Sequence, residues 1–158
     1  MVSYSVRTAR KSDVPSILGL LYQLKRPRPK TRSERAYFGK QVLRYLSDRD
    51  KKILVAESDS GIIGLASLVF ISRLNRTRLE LYIPELVVAK DSRRSGVGES
   101  LMEHCIGIAK KKNCFRIRLE SGHQRKEAHK FYKKLGFEQS SLSYAFRSEE
   151  HTSELQSP

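Results

Sequence analysis

The stretch that most narrows the choice of fold is residues 79–102, LELYIPELVVAKDSRRSGVGESLM. An apolar run broken by Pro84 leads through a polar turn into a helical stripe. Proline has no N–H to give to a ladder, so the strand is expected to carry a bulge or an unpaired edge at that point. The turn places Arg93, Arg94, Gly96 and Gly98 just ahead of Leu101, Met102, Cys105, Ile106 and Ala109, which share one helix face. A helix start leaves N–H groups without carbonyl partners and carries a partial positive charge. Glycines there let the backbone approach a bulky anion, and arginine forks match phosphate oxygens. RRSGVG therefore reads as a diphosphate site, with a plain cationic turn before a helix-starting glycine as the other reading. No GxxxxGK[ST] and no complete Gly-x-Gly-x-x-Gly is present, so neither a P-loop nor a dinucleotide fingerprint accounts for it.

The rest of the chain supplies elements around this unit. Tyr4, Val6 and Thr8 alternate with polar residues as a strand does. Ser12 or Asp13 is placed to cap a helix with Pro15 in its first turn and Ile17, Leu18, Leu21 and Leu24 on one face. That helix is expected to end at KRPRPK, because Pro27 and Pro29 cannot continue it. A second helix, about 33–46, presents Ala36, Tyr37, Val42, Leu43 and Leu46. KILVAE and IIGLASLVFI flank a Ser-Asp-Ser-Gly turn and predict a hairpin. Phe115, Ile117 and Leu119 mark a further strand. Ala128, Phe131, Tyr132 and Leu135 mark a short helix closed by Gly136, and a final strand pair is expected from Phe137 to about Phe146. The predicted order is β-α-α-β-β-β-α-β-α-β-β, a mixed α/β chain.

Composition sets limits. A chain of 158 residues with 39% hydrophobic content can bury a real core. It has no run near the ~18 apolar residues a membrane helix needs, and no apolar leader at its start. Cys105 and Cys114 suit a reducing compartment, so cytoplasm is the expected location. The net charge of +14 is compatible with nucleic acid, an acidic partner or a phosphate-rich cosubstrate. The arginines and lysines are scattered without interleaved aromatics, which weighs against nucleic acid without removing it. RSEEHTSELQSP, residues 147–158, back-translates into a common short-read sequencing adapter. It is expected to be non-native, leaving 1–146 as the functional domain, and without its one arginine and three glutamates the charge becomes +16.

LVVAKDSRRSGVGESLM strongly resembles the acyl-CoA-binding motif of the GNAT superfamily of N-acetyltransferases, [R/Q]-x-x-G-x-[G/A], on Arg93, Gly96 and Gly98. EAHKFYKKLGF resembles the family's second motif. The resemblance runs over about residues 3–146 and implies the GNAT fold: a central, mostly antiparallel sheet with splayed strands, flanked by helices. It implies acetyl-CoA as cosubstrate, bound through Leu86, Val87, Val88, Arg93, Arg94, Ser95, Gly96, Val97, Gly98, Glu99 and Ser100. Many members carry Asn where this chain has Arg125, which leaves one cofactor contact without its usual residue.

The implied reaction is direct acetyl transfer to a primary amine of a small molecule or protein. An alkyl amine with a pKa near ~10.4 must lose a proton before it attacks, so a carboxylate base is called for. Glu85, beside the bulge, is the leading candidate, ahead of Glu80 and Glu120. Val88 N–H is placed to face the thioester oxygen. Leu86 and Val88 would pair with the pantetheine amides as an added strand does. Tyr132 holds the family's general-acid position, although its place on an apolar stripe also suits a core residue. His104, His123 and His129 show no metal-ligand spacing, and no metal is expected. KRPRPK is read as a solvated loop; were it to touch the acceptor, that acceptor would be acidic or phosphate-bearing. A basic nucleic-acid or ribosome-associated module and a CoA-binding sensor stand as alternative functions, and a homodimer is left open.

Overall fold

The hairpin predicted from KILVAE and IIGLASLVFI forms the centre of the sheet. In this computed structural model, which describes residues 3–24, 28–121 and 126–148, strand β2 (Lys51–Ser58) pairs antiparallel with β3 (Gly61–Ile71). Both strands bury nearly every central side chain rather than alternate ones. The reason is that helices cover both faces. Ile53, Val55, Leu65 and Val87 pack with Ile17, Leu20 and Val42 of α1 (Val14–Leu21) and α2 (Arg32–Ser47). On the opposite face α3 (Val97–Lys111) buries Val97, Leu101, Met102 and Cys105. Burying one such side chain contributes about 1.5–3 kcal/mol. Gly64 of β3 sets how close α3 comes: a Cβ there would lie 3.0 Å from Val97 Cγ1, 3.1 Å from Leu101 Cδ1 and 3.2 Å from the Val87 carbonyl.

Strand β1 (Tyr4–Thr8) pairs with β2, and β3 pairs with both β4 (Glu80–Ile83) and β5 (Leu86–Val88), all antiparallel. Strand β6 (Arg116–Leu119) runs parallel to β4. These elements belong to one compact unit, Met1–Leu119; a second comprises Glu120–Pro158. No helix among the described residues is long and apolar enough to cross a membrane.

Local chemistry departs from expectation at several points. Asp13 precedes α1 without capping it, because its buried carboxylate accepts two bonds from the Arg7 guanidinium and one from Arg10 N–H. Helix α1 closes at Leu21, well before the prolines, and its deepest residues are Ile17 and Leu20. Lys25, Arg26 and Pro27 lie outside the described residues. The N-cap of α2 is Thr31, whose hydroxyl accepts from Glu34 N–H at 3.1 Å while the Glu34 carboxylate accepts from Lys30 N–H. Of the stripe read for α2 only Val42 is buried; Tyr37 and Leu43 are exposed.

In the second unit, α4 (Lys126–Lys134) ends as the sequence implied. Gly136 sits at φ +95°, its N–H donates to the Lys133 carbonyl, and Phe137 N–H donates to the Tyr132 carbonyl. This is a Schellman closure, which needs a residue free to adopt left-handed geometry. The final strand pair expected from Phe137 to Phe146 is not formed. Leu142, Tyr144 and Phe146 alternate as in a strand, but a strand needs another backbone beside it, and all three are exposed. Most of the adapter-like tail, residues 149–158, lies outside the described residues, as do His123 and Arg125.

Candidate active site

The site begins at the proline. Tyr82 pairs with Val69, and Ser67 N–H donates to the Glu85 carbonyl at 3.0 Å. Two residues, Ile83 and Pro84, therefore stand opposite Leu68 alone, which is a β-bulge. The extra residue has a consequence for side chains. In a regular strand Glu80 and Glu85 would point to opposite faces. With the bulge, Glu80 and Tyr82 face the same side as Ile71 and Val69, and Glu85 joins them opposite Ser67. Glu85 is thus turned toward α1 and α2.

Ser67 holds it there. The Ser67 hydroxyl donates to Glu85 Oε1 and accepts from Glu85 N–H at 3.0 Å. Glu85, Ser67 and the Tyr45 ring line a cavity of about 190 Å3, walled by apolar side chains including Ile17, Leu21, Val42 and Leu65. The Tyr45 hydroxyl is sealed from solvent without a well-formed hydrogen bond. Burial pushes its pKa up to about 12; the nearby Ser67 hydroxyl pulls the other way, and the Glu85 carboxylate adds to the rise. The Tyr45 hydroxyl therefore stays protonated at neutral pH.

Beyond the bulge β5 turns half of its backbone outward. Ala89 N–H donates to the Ile63 carbonyl, as Ser67 N–H does to Glu85, so the bonded pairs with β3 are those of Glu85, Val87 and Ala89. By the antiparallel alternation, Leu86 and Val88 direct their N–H and C=O groups away from β3. Arg93 Nε donates to the Val88 carbonyl at 3.3 Å. Val87 does not belong to this edge: its backbone pairs with Leu65 and its side chain is buried under α1 and α2.

The chain then runs from Arg93 into α3. Arg94 and Gly96 take left-handed geometry, at φ +65° and +87°. Gly96 is the N-cap with no side chain to fill the cap position, and the first intrahelical bond is Ser100 N–H to the Gly96 carbonyl. The N–H groups of Val97, Gly98 and Glu99 thus have no carbonyl one turn back. Arg93, Arg94 and Gly96 are exposed, while Ser95, Gly98, Glu99 and Ser100 are half-buried. The Val97 side chain is buried against the sheet, so only its backbone can meet a ligand. The Ser95 hydroxyl donates to the Ser92 carbonyl, and Tyr4 Oη of β1 donates to the Gly96 carbonyl at 3.2 Å.

The other two carboxylates considered as bases are tied elsewhere. Glu80 is fully buried and receives Arg116 Nε and Arg118 Nε, with Arg73 at 3.8 Å. Burial alone would raise its pKa, but Arg116 and then Arg118 outweigh that and hold it below the usual carboxylate range. Glu120, in the second unit, accepts from the Ser143 hydroxyl. Tyr132 lies on α4, edge-on to Phe131 and Phe137 at 5.2 and 5.9 Å. The His104 ring nitrogen Nδ1 lies 2.9 Å from the Ser100 carbonyl.

An outward strand edge leading into an uncapped, glycine-started helix is a way to hold an extended amide chain that ends in a diphosphate. The model of the Acetyltransferase (GNAT) family matches residues 18–137. The chain belongs to the GNAT acetyltransferase family. It is 28% identical over 140 residues to an uncharacterised N-acetyltransferase of Methanocaldococcus jannaschii, with 87% of this chain covered, and it spans 62% of that relative's length. It is also 28% identical over 138 residues to the glucosamine 6-phosphate N-acetyltransferase of Trypanosoma brucei brucei, covering 87% of this chain and 90% of that one. Among solved structures, one from Agrobacterium tumefaciens assigned as an acetyltransferase superposes with a TM-score of 0.82 at 27% identity, covering 91% and 99% of the two chains. The GNAT fold expected from the sequence is the fold observed: among the described residues, a six-stranded, mostly antiparallel sheet flanked by helices.

Three residues of the candidate site were not singled out from the sequence. Ser67 is a polar residue inside an otherwise apolar strand, which was a usable signal. Tyr45 and Tyr4 carried none, since each fits an ordinary helix or strand pattern.

Proposed function

We propose that this GNAT protein transfers an acetyl group from acetyl-CoA to a primary amine by direct attack within a ternary complex. The observation that carries the reading is the continuity of the outward β5 edge with the uncapped start of α3. Leu86 and Val88 offer amide partners for pantetheine, and the N–H groups of Val97, Gly98 and Glu99 with Arg93 and Arg94 offer donors for the diphosphate. Gly96, Gly98, Ser95 and Ser100 keep that turn open and close to the ligand.

In the reaction Glu85 accepts the ammonium proton, directly or through water, and the neutral amine attacks the thioester carbonyl. The C–N bond forms first, giving a tetrahedral oxyanion that Val88 N–H stabilises. As it collapses the C–S bond breaks, and the Tyr132 hydroxyl gives its proton to the departing thiolate. The attacking nitrogen releases its second proton to solvent, which also reprotonates Tyr132. The fixed hydrogen bonds from Ser67 support Glu85 in this role, because they hold the carboxylate in one orientation at the cavity.

Thermal unfolding of the full chain with and without acetyl-CoA tests the proposal. Ligand at ~100 times its dissociation constant adds about 2.7 kcal/mol, or about 5–10 °C for a chain of this size. The shift is expected to vanish in Arg93→Ala/Gly96→Asp. No shift in the folded wild-type protein would overturn the reading.

A further inference from the structure

We infer that the acceptor is a primary amine carrying a compact apolar group, which enters the cavity between α1, α2 and the sheet and leaves its amine at Glu85. This rests on the proposed acetyl transfer and specifies its acceptor. The cavity holds about 190 Å3, and a dry apolar cavity of roughly 150 Å3 takes a benzene-sized guest. Its wall is aliphatic and aromatic: Ile17, Leu18 and Leu21 from α1, Phe38 and Val42 from α2, and Leu65 from β3.

Polar atoms sit together at the sheet. Glu85 alone among the described lining residues is charged, and Ser67 fixes its carboxylate. The sealed Tyr45 hydroxyl lies on the same wall. An ammonium at this end of the cavity meets a carboxylate of opposite charge, while an isopropyl or phenyl group covers the apolar wall.

A phosphorylated sugar amine, the acceptor named for the trypanosomal relative, fits poorly here. Among the described lining residues there is no lysine, arginine or histidine, so a phosphate placed in the cavity would meet no cationic partner among them. Sugar hydroxyls would likewise face aliphatic walls. The bulge and the cavity thus select an amine with an apolar substituent.

Thermal shift and turnover with the full chain separate the outcomes, using ethylamine, isoamylamine, phenethylamine and glucosamine 6-phosphate, each with and without acetyl-CoA. Each added methylene is expected to tighten binding about fourfold, so isoamylamine should bind about 50-fold better than ethylamine, and glucosamine 6-phosphate should give no response. Gln41→Trp narrows the cavity from the exposed side of α2. It should remove the response to isoamylamine and leave the acetyl-CoA shift intact. The inference is overturned if glucosamine 6-phosphate matches the apolar amines, if no apolar amine binds, or if Gln41→Trp binds them as before. Failure of the parent reading shows separately, as loss of the acetyl-CoA shift in the wild-type protein.

Discussion

Glu80 and Glu85 stand five residues apart in one stretch of chain and on one face of one sheet, yet their surroundings differ in every physical respect. Glu80 is buried, enclosed by Arg116, Arg118 and Arg73, and Arg118 also stacks 4.3 Å from the Tyr82 ring centroid. Glu85 lines a cavity, and Ser67 bonds both its carboxylate and its N–H. Before the bulge the strand has neighbours on both sides, β3 and β6; after it, β3 is the only strand paired with it among the described residues. A single extra residue at Ile83–Pro84 divides a half paired on both sides from a half whose Leu86 and Val88 backbone groups face away from β3. The lesson is that a bulge can place a carboxylate on a chosen face and open an edge in the same step.

Removing each carboxylate should expose this division. Glu80→Ala leaves three guanidiniums around an uncompensated hole and should cost about 3–5 kcal/mol in urea unfolding, with turnover per folded molecule unchanged. Glu85→Gln keeps the Ser67 bonds, so its stability should change by under about 1 kcal/mol. Its turnover should fall ~10²-fold or more, equivalent to about 2.7 kcal/mol of barrier.

A third carboxylate sharpens the contrast by pH. Asp13 is held below the usual range by its hydrogen bonds from Arg7, against the opposing effect of burial, and Arg10 N–H adds to the lowering. A lowered folded pKa means that the stabilisation is complete above the unfolded value near ~3.9 and is lost as pH falls through the folded value. Asp13→Asn should therefore cost about 1.5–3 kcal/mol at pH 7, with the gap to wild type closing below about pH 4 in a Tm series. The smallest effect is expected at Tyr45. Tyr45→Phe deletes a buried hydroxyl that lacks a well-formed bond, so its stability should stay within about 1 kcal/mol of wild type and lean toward a gain.

Much of this arrangement was legible beforehand because it is local. Glycine at 96 before a helical stripe, proline inside a strand and glycine at 136 after a helix each report a backbone geometry that few other residues adopt. The element order as far as α4 followed from such signals, while the expectation of an acyl-CoA turn came from the resemblance of RRSGVG to the family motif. What was missed depends on partners distant in sequence. The face that Glu85 takes depends on how the bulge registers against β3, and the strand character of 137–146 depended on a neighbour that does not pair with it. The early end of α1 and the diversion of Asp13 to Arg7 are likewise tertiary effects. Ser67 stood out in the sequence only as an oddity, and it acquires meaning once Glu85 is opposite it.

The most direct test of the central claim is a paired measurement on Glu80→Gln and Glu85→Gln, reading urea stability and kcat with one amine acceptor. The account predicts a crossed result: Glu80→Gln loses stability and keeps kcat, while Glu85→Gln keeps stability and loses kcat by ~10²-fold or more. Loss of kcat in Glu80→Gln with Glu85→Gln fully active would contradict it.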